Sequence, residues 1–113
     1  GVRSSIFIDP RIEDVEAAHA IRADRVELYT GDYAKSWVKD PSEAIRSHVN
    51  CAKKASELGV GLNAGHDLNL DNLPHYYNEV SGLLEVSIGH ALIADCLYYG
   101  LPAAIRMYRC CLQ

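Results

Sequence analysis

With 113 residues, 49% of them apolar, and a formal net charge of -4, the chain is long enough for one packed domain or for part of a larger one. That charge, with Lys and Arg scattered along the sequence, excludes the basic field that a nucleic-acid backbone requires. No apolar run approaches the ~20 residues of a membrane span, which excludes a spanning helix.

The chain opens Gly1-Val2-Arg3-Ser4, with no initiator Met and no lead-in, and enters a strand-type run, SSIFID (residues 4–9), at once. Such a start is expected of an excised segment. Asp9 before Pro10 reads as a helix N-cap with proline at the first helical position, and Glu13 and Asp14 fall where the helix dipole favours negative charge. A helix is therefore predicted over 10–23, with Ile12, Val15, Ala18 and Ala20 or Ile21 on its packed face.

RVELYT (25–30) reads as the second strand and 41–58 as a helix closed by Gly59, a residue able to adopt positive φ. VGLNAG (60–65) reads as a third strand, and LNLDNLPHYYNEV (68–80) as a loop and a helix. Gly82 marks the entry to LLEVSIG (83–89), a fourth strand, and 90–111 is predicted as one long final helix. Gly31, Gly65 and Gly89 are expected to make sharp turns at strand ends. Connections this long exclude hairpins and predict a parallel sheet.

Alternation along the strands gives each an oily and a polar side. Val26 and Leu28 oppose Arg25, Glu27 and Tyr29; Leu84, Val86 and Ile88 oppose Glu85 and Ser87; Asn63 joins the polar set. A sheet covered by helices on both faces would be apolar on both. A polar face shared by successive parallel strands fits the lumen of a (β/α)8 barrel, of which this chain supplies about four βα units over 1–113, a half barrel. Half a barrel leaves two sheet edges, to be closed by a second half or a second copy.

In such a barrel the reacting groups stand at the C-terminal ends of the strands, and phosphate binds after the last strands at a helix N-terminus. His66, just after Gly65, is placed to exchange protons at the mouth, or to bond a neighbouring carboxylate such as Asp67. Glu27 lies on the polar face, where a carboxylate is either used in the chemistry or ion-paired with Arg3 or Arg25. Gly89 and His90 form either a phosphate-binding strand-to-helix turn or a tight turn that needs glycine for geometry alone. Glu85 and Ser87 lie deeper and read as structural lumen residues.

Cys51, Cys96, Cys110 and Cys111 show no CxxC spacing, so reduced thiols in a cytoplasmic protein are expected. His19, His48 and His75 read as solvated or capping residues, and no metal site is expected. Tyr76, Tyr77, Tyr98 and Tyr99 are expected to half-bury a ring and leave the hydroxyl wet, with an oligomer interface as a second use. No dinucleotide fingerprint, Walker loop or serine elbow is present.

The strings VELYTGDYA (26–34), GVGLNAGHDLNLDNL (59–73) and EVSIGHALIADCLYYGL (85–101) together resemble the second half of pyridoxine 5'-phosphate synthase. The resemblance runs from SSIFID to the C-terminus. It implies condensation of 3-amino-2-oxopropyl phosphate with 1-deoxy-D-xylulose 5-phosphate to pyridoxine 5'-phosphate, phosphate and water, with no cofactor. On matching positions, His66 resembles the family's proton donor and Glu27 its transition-state-stabilising carboxylate. Gly89 and His90 resemble its phosphate-binding pair. Asp67 stands at a substrate contact that relatives often make with glycine, so the resemblance assigns that contact to the backbone N–H.

The family's proton acceptors and substrate-binding arginine belong to the first four strands, which this chain does not contain. It is therefore expected to be inactive alone and to need the N-terminal half-barrel as partner. The family also implies a homo-oligomer. Two other readings are a non-enzymatic half-barrel that pairs with itself and retains phosphate binding, and another phosphosugar barrel enzyme. The NAGHDL and SIGHA strings weigh against the last.

Overall fold

The computed structural model describes every residue from Gly1 to Gln113. Four strands, β1 (Ser5–Ile8), β2 (Arg25–Tyr29), β3 (Gly61–Gly65) and β4 (Leu83–Ser87), form one parallel sheet in the order β1-β2-β3-β4. Each parallel neighbour is reached through helical segments, as the long connections require. These are α1 (Ile12–Ala20), α2 (Gly31–Trp37) with α3 (Pro41–Leu58), and α4 (Leu73–Glu79); α5 (His90–Tyr99) and α6 (Leu101–Cys110) follow β4. The result is the expected α/β half barrel. No helix is long and apolar enough to cross a membrane.

Val26 and Leu28 of β2 and Leu62 and Ala64 of β3 are buried beneath the helices, against Val15, Ala18, Ile45, Cys51, Ala52, Ala55 and Tyr76. Burial of this face supplies the main favourable term for the fold. On the other face the register pairs Glu27 with Asn63, Asn63 with Glu85 and Gly65 with Ser87, so the polar residues line up across the strands.

Helix α3 has the predicted bounds for local reasons. Asp40 accepts the backbone N–H of Glu43 (3.0 Å), Pro41 occupies the first helical position, and Gly59 closes the helix at φ 70°.

Other boundaries differ from the sequence expectations. Helix α1 starts later than predicted, because Arg11 rather than Asp9 occupies the N-cap; Asp9 instead accepts the Arg11 N–H on its carbonyl (2.7 Å). Helix α2 falls where a connection was expected, with Gly31 as its first residue. A Cβ on Gly31 would collide with the Tyr29 hydroxyl, so the Tyr29 ring packs where a larger residue would make it shift. The predicted final helix is broken at Gly100 (φ 79°, ψ 148°), a backbone conformation reserved for glycine, and α6 then starts at Leu101 with Pro102 in its first turn.

The alternation in β4 is shifted by a bulge. Leu62 pairs with Leu83 and Asn63 with Glu85, so Leu84 is the extra residue, and Leu83 takes the place on the core that alternation assigned to Leu84.

His48 and Tyr76 are buried rather than solvated. The Tyr76 hydroxyl lies 2.9 Å from His48 Nδ1, and both rings meet Tyr33 edge-to-face. Burial pushes the His48 imidazole down to about 4 from 6.5. Between those values the unfolded chain binds the proton and the folded one does not. The His48 contribution is therefore complete above pH 6.5 and is lost as pH falls toward 4, an effect on the order of 3 kcal/mol. Denaturant titrations at pH 7 and pH 4.5 are expected to show a smaller acid-induced loss in His48→Gln than in the parent; equal losses would contradict burial of a neutral imidazole.

Candidate active site at the C-terminal ends of the strands

On the open face of the sheet, the charges sort into two levels. At the lower level Arg25 Nη1 donates to Glu85 Oε2 (2.6 Å) and to Asn63 Oδ1 (3.2 Å), while Asn63 Nδ2 donates to the same Glu85 oxygen (3.0 Å). Arg3 adds a second ion pair to Glu85 at 3.5 Å. Both arginines named as partners for Glu27 are thus engaged by Glu85, and the ion-paired alternative for Glu27 is removed.

One level up, half-buried Glu27 has a single side-chain partner, the Ser87 hydroxyl, which donates to Oε2 at 3.2 Å. No cation is paired with this carboxylate. Gly65 stands beside it. A Cβ there would lie 2.5 Å from Glu27 Oε1 and 2.8 Å from Ser87 Cβ, so this glycine serves close approach.

The turn after β3 falls on His66 (φ 101°) and Asp67 (φ 56°), not on Gly65 as expected. Nor do Gly31 and Gly89 adopt positive φ. Two successive non-glycine residues in this region cost on the order of 1–3 kcal/mol each and persist only where neighbours fix them. Here buried Thr30 donates its hydroxyl to the His66 carbonyl and its N–H to the Gly65 carbonyl (3.0 Å). Buried Asn72 donates to the Asp67 carbonyl (3.2 Å), and its own carbonyl accepts the Tyr33 hydroxyl (2.8 Å). Asn69 and Asn72 close the loop with reciprocal side-chain to backbone bonds of 2.9 and 3.0 Å.

The turn aims His66 at the mouth, where its ring packs edge-on to Tyr29 at 5.1 Å and Tyr29 packs on Phe7 at 5.9 Å. The Asp67 carboxylate lies 3.3 Å from His66 Nδ1 and 3.8 Å from His90 Nε2. Asp67, Leu68, Asn69, Gly89, His90 and Ala91 line a cavity of about 240 Å³. Gly89 caps α5 without a side-chain hydrogen bond, so first-turn N–H groups remain available beside that cavity. Glu27, His66, Asp67, Gly89 and His90 are therefore gathered at one end of the sheet, whereas Asp9 turns toward Arg11 (3.6 Å).

The family model described as pyridoxal phosphate biosynthesis protein PdxJ matches residues 1–113. The chain belongs to the PdxJ family. It is 52% identical to the pyridoxine 5'-phosphate synthase of Bacteroides fragilis, over all of this chain and 48% of that protein. The synthase of Bacteroides thetaiotaomicron is 50% identical over the same shares, and that of Flavobacterium johnsoniae 48% identical over 96% of this chain and 46% of that protein. The chain thus spans about half the length of the curated relatives it matches.

Within this PdxJ-family segment, sequence reasoning missed Tyr29, Thr30, Tyr33 and Asn72, which hold the site without facing the cavity. One signal was present: Asn69 and Asn72, three apart ahead of apolar Leu73, are a turn signature. Replacing Asn72 by Ala is expected to destabilise the protein by roughly 1–3 kcal/mol by leaving buried partners unpaired. It is also expected to accelerate amide exchange at Asp67. Denaturant unfolding and hydrogen exchange check this; an unchanged midpoint with unchanged exchange would contradict it.

Proposed function

We propose that this chain supplies the C-terminal part of the active site of a pyridoxine 5'-phosphate synthase, which condenses 3-amino-2-oxopropyl phosphate with 1-deoxy-D-xylulose 5-phosphate to pyridoxine 5'-phosphate, phosphate and water. The observation that carries the reading is Glu27, a carboxylate without a cation in a lumen that holds two arginines, set beside the turn that presents His66. Membership of the PdxJ family and the names of the relatives support the same reaction.

In this reading each residue has one task. His66 donates a proton to the condensing substrate, and Glu27 stabilises positive charge that develops in the transition state. The N–H groups of Asp67, Gly89 and His90, together with the His90 imidazole, bind a substrate phosphate at the start of α5. No metal or organic cofactor is called for. Proton acceptors come from a complementary N-terminal half, which also covers the β1 and β4 edges, each paired on one side only. Alone, the chain lacks the groups that start the reaction.

The test is to mix the chain with a separately produced N-terminal half from a relative and to assay pyridoxine 5'-phosphate formation, with each half as control. Activity in the mixture alone is expected. Glu27→Gln or His66→Ala should then lower kcat by roughly 10²–10⁴-fold. A folded mixture with no activity, in which this chain pairs with itself, would overturn the enzymatic reading in favour of a self-paired module.

A further inference from the structure

We propose that the Asp67 carboxylate is a positioning group that faces the His66 ring and keeps a proton on His66 Nδ1, so that the proton His66 transfers leaves from Nε2. This inference rests on the functional reading above. It concerns a side chain that the reading leaves without a task.

The carboxylate lies against the His66 ring, with the exposed His90 ring farther off. Oδ2 lies 3.3 Å from His66 Nδ1 and Oδ1 lies 3.8 Å from His90 Nε2. The carboxylate is aimed by its backbone, which sits at φ 56° with its carbonyl held by Asn72. On its other side, the His66 ring meets Tyr29, itself backed by Phe7. His66 is thus fixed at Nδ1 by a charge and across the ring by an aromatic edge, which leaves Nε2 as the nitrogen for chemistry.

A carboxylate facing one ring nitrogen selects the tautomer protonated at that nitrogen. In the cationic form, both His66 nitrogens carry protons. Transfer breaks the Nε2–H bond, returns its electron pair to the ring and delivers the proton to the substrate. The product is neutral imidazole with its remaining proton on Nδ1, facing Asp67. Without the carboxylate the neutral ring would distribute between tautomers, and a fraction would present the wrong nitrogen.

Two substitutions test this in the complex of the chain with its complementary half. Asp67→Asn keeps the shape and tolerance of the left-handed backbone while removing the charge; Asp67→Gly keeps the N–H that contacts phosphate. Both are expected to lower kcat by roughly 10–100-fold. KM for either phosphorylated substrate should not rise, since losing a negative charge beside the phosphate site does not weaken phosphate binding.

The ring ¹⁵N shifts of His66 should report the Nδ1-protonated form in the parent and a tautomer mixture in both variants. A raised KM with kcat unchanged, or the same His66 tautomer in the parent and Asp67→Asn, would overturn the inference. If the parent complex makes no pyridoxine 5'-phosphate, the functional reading fails. The ring shifts would still decide the role of Asp67.

Discussion

The salt bridge from Arg25 to Glu85, shared with Asn63 and reinforced by Arg3, fixes the charge layout of the open sheet face. Two cations and one carboxylate meet at the lower level, and Glu27 above them keeps no cation. In the β3–β4 register Glu85 stands opposite Asn63, and the bulge at Leu84 brings Leu83 onto the core. A one-residue slip would reverse both. Packing and the charge layout are therefore set by the same strand register.

The second constraint is the turn after β3. Its strain at His66 and Asp67 is held by Thr30 at the end of β2 and by Asn72 ahead of α4. Two neighbouring elements thus stabilise one histidine in a conformation that the local sequence does not favour. The buried cluster of Tyr33, His48 and Tyr76 extends that support, because Tyr33 bonds the Asn72 carbonyl. A rigid turn is what the proton donor proposed at His66 would need, since misplacement of a reacting group by about 1 Å can cost on the order of 10²-fold in rate.

Much of this was legible in the sequence because it is local or periodic. The strands, the bounds of α3 and the gathering of His66, Glu27, Gly89 and His90 at strand ends follow from alternation, capping and glycine placement. What was not legible depends on partners distant in sequence. The Leu84 bulge is a property of pairing with β3, and the engagement of Arg3 and Arg25 by Glu85 joins residues up to 82 positions apart. His48 and Tyr76 carry helix-surface residue types, yet each satisfies the other in the interior. Helix α2 begins on a glycine against which the Tyr29 ring packs, and Gly100 interrupts a stretch whose apolar pattern continues through it.

On the proposed function, the mouth of the half barrel rather than its arginine-bearing floor is the seat of anion binding. Titrating inorganic phosphate into the ¹⁵N-labelled protein, in complex with its complementary half, and following the backbone amides tests that most directly. Saturable shifts at Asp67, Gly89, His90 and Ala91, with Arg3, Arg25, Asn63 and Glu85 unmoved, are the predicted result. Saturation that maps to the floor arginines, or no saturable shift at the mouth, would contradict it.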